Sequence, residues 1–146
     1  MKKITPALLR SLDACPKGYD YYLTLGTQDA ETIINRCLTD NHFDWANWLI
    51  VRIMNRKQKI SYAIFAAEQV LDIYEKQYPD NKAPRLAIEA AKAVLKRDTE
   101  KNRAASRAAS WAASEASEAS EASRASRAEM QKRVIAHGLK ILKGLK

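Results

Sequence analysis

The side chains in this sequence best suited to covalent or metal chemistry are two cysteines and two histidines: Cys15, Cys37, His42 and His137. A cysteine beside a histidine can form an activated thiolate, and Cys37 precedes His42 by five residues. Such a pair needs contact in space and oxyanion donors, and no glycine suited to that role lies nearby. The sequence therefore predicts His42 as a capping or partly buried residue at a helix boundary. His137 falls in a lysine-rich amphipathic end and reads as a packed or surface residue. The four positions also lack the close paired spacing of a structural zinc site. Glu115, Glu118 and Glu121 form a row of carboxylates, but steps of three residues fan them around a helix and give a solvated face. Neither a glycine-rich phosphate loop nor a Gly-x-Ser-x-Gly elbow is present. No catalytic residue, metal ligand or cofactor site is assigned, and no enzymatic activity is expected.

The basic residues are better organised. The net charge is +8, which invites an acidic partner such as nucleic acid. Arg52, Arg56, Lys57 and Lys59 cluster at one helix junction. Lys132, Arg133, Lys140, Lys143 and Lys146 crowd an end that carries no acidic residue after Glu129. Lysines near a helix C-terminus also complement its dipole, so this cluster has an architectural explanation too. Nucleic-acid surfaces usually add exposed aromatics or a recognition helix, and neither is identifiable, because Trp45 and Trp48 fit a core. Nucleic acid is therefore kept as the lesser expectation for the partner.

These residues must be positioned by helices. With 4 Gly and 4 Pro in 146 residues, long uninterrupted helices are expected. Thr5-Pro6 reads as an N-cap followed by proline at the first helical position, opening a helix through Leu8, Leu9 and Leu12. Pro16 starts another, with Tyr19, Tyr22 and Leu23 at helical spacing, ending at Gly26. Thr27 or Asp29 caps a third, with Ile33, Ile34, Cys37 and Leu38 on one side, broken at Asn41-His42. Residues 43–54 form the most apolar helix, with Trp45, Trp48, Leu49 and Ile53 as its expected buried face. Ile60, Ala63, Ile64, Ala67, Leu71, Tyr74 and Tyr78 recur at steps of three and four. After Pro79-Asp80-Asn81, a partner helix starts near Pro84 with Ala87, Ile88, Ala91, Val94 and Leu95 as its stripe. Two such helices on a short loop should pack as an antiparallel hairpin over 57–97.

After Asp98 a repeat of Ala, Ser and charge begins, with Arg103, Arg107, Trp111 and Glu115 every four residues. Glu118, Glu121, Arg124 and Arg127 follow every three. At about 100° per residue, a step of four drifts forward about 40° and a step of three back about 60°. The second half undoes the drift of the first. Ala104, Ala105, Ala108, Ala109, Ala112, Ala113, Ala116 and Ala119 gather opposite the charges, on a face suited to close approach by a neighbouring helix or by a second copy. A helix of about 30 residues or more is expected from about Glu100, with a break near Gly138. Met130, Val134, Ile135, Leu139, Ile141, Leu142 and Leu145 then dock on the body.

The expected fold is thus all-α, an orthogonal or antiparallel bundle of about six to seven helices with one long C-terminal Ala/Ser-rich helix. One domain spans 1–146, comprising an N-terminal helical module (1–55), the hairpin (57–97), and the long helix with its basic end (100–146). Met1-Lys2-Lys3-Ile4-Thr5-Pro6 is followed by no apolar run of signal-peptide length. No segment reaches the roughly 18 apolar residues of a membrane span. Cys15 and Cys37 are too few for a disulfide framework and are expected as reduced, buried thiols of a cytoplasmic protein.

The run AAEQVLDIYEKQYPDNKAPRLAIEAAKAVL, from Ala66 to Leu95, resembles the bacterial and phage "putative immunity protein" family. Its members share the core A-x-x-V-L-x-x-(F/Y)-E-x-x-x-P-D-x-x-x-P-R-x-A-I-E-A-A. The family follows this core with an Ala-rich helical stretch and a final His-containing helix. Ala104 to Ala128 and Val134-Ile135-Ala136-His137-Gly138-Leu139 stand in those places. The resemblance covers about residues 60–142 and implies a protein that binds and neutralises another protein. This chain departs from the pattern in its Ser-interrupted repeat and its basic tail. Leu12-Asp13-Ala14-Cys15-Pro16-Lys17-Gly18 and Phe43-Asp44-Trp45-Ala46-Asn47-Trp48-Leu49 resemble a module of small phage and prophage proteins. The Pro84-Arg85 pair is expected to shape the hairpin, with Arg85 reaching Asp80 or Glu89.

Overall fold

The computed structural model describes residues 2–104 and 124–144, apart from the side chains of 124–127. The fold is all-α. Two compact units are present, one of Met1–Asn55 with Gln131–Lys146, the other of Arg56–Met130.

The first unit begins with α1 (Pro6–Ser11), whose N-cap Thr5 accepts a 3.1 Å hydrogen bond from the Leu8 amide. Replacing Thr5 by alanine leaves that amide without its partner. A loss of about 1 kcal/mol is expected in chemical denaturation. Asp13, with φ +56°, turns the chain out of α1, and Pro16 opens α2 (Pro16–Thr24). Gly26, at φ +61°, ends that element in the left-handed conformation glycine adopts without strain.

Asp29, one of the two expected caps, starts α3 (Ala30–Thr39). Its carboxylate accepts from both the amide and the hydroxyl of Thr32, each at 2.8 Å. The chain is tied back here by the Ile4 amide donating to the Gln28 carbonyl at 2.8 Å. Asn41, at φ +61°, then reverses direction into α4 (Phe43–Ile53), which packs against α3.

The centre of this unit is made by Ile4, Ile34, Ile50 and Ile135, all nearly inaccessible. Each such side chain contributes about 1.5–3 kcal/mol by leaving water. Two sequence expectations need correction here. The buried face of α4 centres on Ala46, Leu49 and Ile50, with Met54 beyond it, while Trp45, Trp48 and Ile53 are half-buried. An apolar helix offers little polar contrast from which to fix its phase. Leu23 of α2 is 54% exposed. Cys15 is exposed rather than buried, because it serves as the N-cap of α2, its Sγ accepting from the Gly18 amide at 3.4 Å.

The second unit is built on the expected hairpin, α5 (Arg56–Gln77) and α6 (Ala83–Lys96). Ile64, Leu71 and Ile88 form its buried centre, flanked by Ile60, Ala67, Ala91 and Leu95. The connection is held by Asn81, whose side chain donates to the Tyr74 hydroxyl and accepts from the Ala83 amide, both at 3.0 Å. After α6, Asn102 donates to the Arg97 carbonyl at 2.7 Å and the Ala93 carbonyl at 3.2 Å, satisfying groups at the helix end.

The expected long Ala/Ser helix lies mostly outside the described residues. At its two ends, residues 100–104 and α7 (Arg124–Leu142) are helical. The break expected near Gly138 is absent, since α7 continues through it to Leu142. Burial on this stretch outweighs the glycine's poor propensity: Gly138 is buried, as are Ile135 and Leu139. Beyond the helix, the Lys143 ammonium pairs with Glu31 of α3.

Candidate functional site

Within the first unit, α1 to α4 enclose a pocket of about 160 Å³. Its floor is aliphatic, with Leu9, Ile33 and Leu49 among the lining residues and each at most 5% exposed. Tyr21, Trp45 and Trp48 are half-buried lining residues, and Asp13 and Cys15 are the exposed ones. The aromatic side chains are braced. Tyr21 lies 5.3 Å from Trp45, centroid to centroid, and its hydroxyl donates to Asp40 at 2.8 Å. The Arg52 guanidinium sits 5.4 Å from the Trp48 ring centre, within cation–π range. This use of Trp48 is not legible in the sequence, where both tryptophans fit the core.

The proposed reactive pair is not organised for nucleophilic attack. Cys37 is 3% exposed, and burial pushes its thiol up to about 11, with Asp40 adding to the rise. The His42 ring is packed against Trp45 at 4.1 Å and Tyr21 at 4.9 Å, while its main-chain amide donates to the Cys37 carbonyl at 2.7 Å. His42 occupies the N-cap position of α4 without a side-chain capping bond. Among the described residues no cluster of three or more His, Cys, Asp or Glu is arranged to hold a metal ion.

The basic residues fall in both units. Arg52 belongs to the first unit and Arg56, Lys57 and Lys59 to the second. Arg56 pairs with Asp98 at 2.9 Å, and Asp98 also accepts from Arg103 at 2.6 Å. Lys57 and Lys59 are exposed, as are Lys132, Arg133 and Lys140. Lys143 is engaged by Glu31, and Lys146 lies outside the described residues.

The hairpin of the second unit has two dissimilar flanks. On one, Arg85 forms a two-pronged pair with Glu75, at 2.7 and 2.5 Å, and Lys92 pairs with Glu68 at 2.6 Å. Arg85 thus reaches across to α5 rather than to Asp80 or Glu89, because the antiparallel register sets Glu75 opposite it. On the other flank of α5, about 140–200° of helical rotation away from Glu75, stand Val70 and Ile73. These are 42% and 44% exposed, and Leu86 of α6 is 57% exposed.

The ion pairs make stability depend on acid. Arg85 holds Glu75 below its ordinary value of 4.5, chiefly by hydrogen bonding. Arg103 does the same for Asp98, and the Thr32 amide and hydroxyl for Asp29, below the ordinary 3.8. A carboxyl lowered in the folded state stabilises fully above its unfolded value, and loses that contribution as pH falls through the folded one. The melting temperature should therefore decline progressively between pH 5 and 3, and Glu75→Gln should make that decline shallower.

The chain belongs to the Imm-5 like putative immunity protein family, whose model matches residues 50–140. No curated protein matches it, and neither does any solved structure. No helix among the described residues is long and apolar enough to cross a membrane.

Proposed function

We propose that this is a non-catalytic immunity protein of phage or prophage type, acting in the cytoplasm by binding another protein and neutralising or modulating it. The observation that carries this reading is the family match over residues 50–140. The hairpin inside the matched region supports it, since Val70, Ile73 and Leu86 leave large apolar side chains at the surface. Apolar side chains amid charge are the usual material of a protein contact. The test is co-expression with each toxic protein encoded beside it. One of them should lose its toxicity and co-purify with this chain. Val70→Asp with Ile73→Asp should weaken that complex by about tenfold or more while keeping the helical content. If no neighbouring product is relieved, the reading fails.

The net charge of +8, with Lys132, Arg133 and Lys140 exposed on one helix, supports a second reading, a basic nucleic-acid-associated accessory protein. It requires a mobility shift at low salt that falls steeply with added salt. Neutralising Lys140, Lys143 and Lys146 should abolish the shift, and the absence of any shift removes this reading.

A further inference from the structure

The pocket of the first unit is lined wholly by residues before 50, outside the region of the family match. Its tyrosine hydroxyls and the Cys15 sulfur are already engaged. The Tyr22 hydroxyl donates to the Ile4 carbonyl and the Tyr21 hydroxyl to Asp40, both at 2.8 Å. Cys15 Sγ accepts from the Gly18 amide. Among the described residues no buried polar side-chain atom lacks a partner. Walls made mostly of aliphatic and aromatic side chains favour a largely apolar occupant with few polar groups.

Gly18 lets Cys15 and Trp45, two of the lining side chains, pack close against α2. A Cβ at that position would stand 3.2 Å from Cys15 Sγ and 3.6 Å from the Trp45 ring. Gly18 sits inside α2, where glycine is a poor choice for the helix. A volume of about 160 Å³ is that of an apolar cavity that admits benzene. The aromatic walls provided by Tyr21, Trp45 and Trp48 favour a ring over a flexible chain. One charged group lines the pocket, the exposed carboxylate of Asp13.

We propose that this pocket binds a single aromatic ring whose outer end carries a hydrogen-bond donor or a cation that meets Asp13. The ring can belong to a free aromatic amine or to an aromatic side chain of a bound protein, and the test separates these sources. Full-length protein is titrated with 2-phenylethylamine, with toluene and with N-acetyl-phenylalanine amide. Occupancy is followed by tryptophan fluorescence and by the rate at which iodoacetamide modifies Cys15. The amine should saturably slow Cys15 modification at least fivefold, with toluene acting more weakly. Ala14→Leu, which fills the pocket, should abolish both effects. Asp13→Asn suits the left-handed backbone there and should erase the advantage of the amine while leaving toluene binding intact. Should Ala14→Leu fail to fold, Asp13→Asn decides alone. Equal binding by the amide and the amine assigns the ring to a protein side chain, and binding by the amine alone assigns it to a free molecule. Absence of saturable protection by all three probes, or an amine-to-toluene ratio unchanged in Asp13→Asn, overturns the proposal.

Discussion

At pH 8 the native protein should yield one fast thiol and one that is nearly inert. Cys15 is exposed at the start of α2. Cys37 is 3% exposed, and its thiol is raised to about 11 by burial and by the nearby Asp40. The thiolate is the reactive species, so a value about three units above the working pH leaves about one Cys37 in a thousand ionised. Burial slows the reagent further. A rate ratio of about 100 or more is expected from mass-resolved alkylation, with Cys37 modified on the timescale of local opening. Denaturant should abolish the difference. Comparable rates in the native protein would mean that Cys37 is not buried on the inner face of α3 as described.

The largest stability effect should come from Ile50→Ala. Ile50 is fully buried, and removing three carbons from a packed core costs the transfer energy together with a cavity term, about 2–5 kcal/mol. Ile34→Ala should behave alike, since both side chains are among the most buried in their unit. Leu23→Ala, at a site 54% exposed, should stay within about 0.5 kcal/mol of the parent. Urea denaturation of the three variants checks this directly. A loss at Leu23 matching that at Ile50 would overturn the assignment of the core.

Caps are legible in the sequence because their chemistry is local: Thr5 before Pro6, Asp29 before Thr32, and glycine at 26. The hairpin is legible because α6 is strongly two-faced and α5 carries its stripe at steps of three and four. The phase of α4 is not, because apolar residues ring it almost completely and the choice between Ile50 and Trp48 depends on what packs there. The same holds for Arg85, whose neighbours in sequence are Asp80 and Glu89 but whose neighbour in space is Glu75. Gly138 looks like a helix end, and only tertiary burial shows why α7 passes through it. The pocket is hidden for a related reason. Its walls come from four helices, so Cys15, Gly18, Trp45 and Trp48 acquire their shared role only once those helices meet.

The most direct test of an immunity role by binding is a titration. A fixed amount of a toxic protein that co-expression with this chain relieves is mixed with increasing amounts of the purified protein, and the remaining toxic activity is measured at once and after long incubation. Stoichiometric capture predicts a linear fall to zero near one equivalent, with no further change over time and full recovery of activity when the complex is separated in denaturant and refolded. Progressive loss of activity at a small fraction of an equivalent, not restored by separation, would mean that the chain destroys or modifies its target and would contradict a binding mechanism.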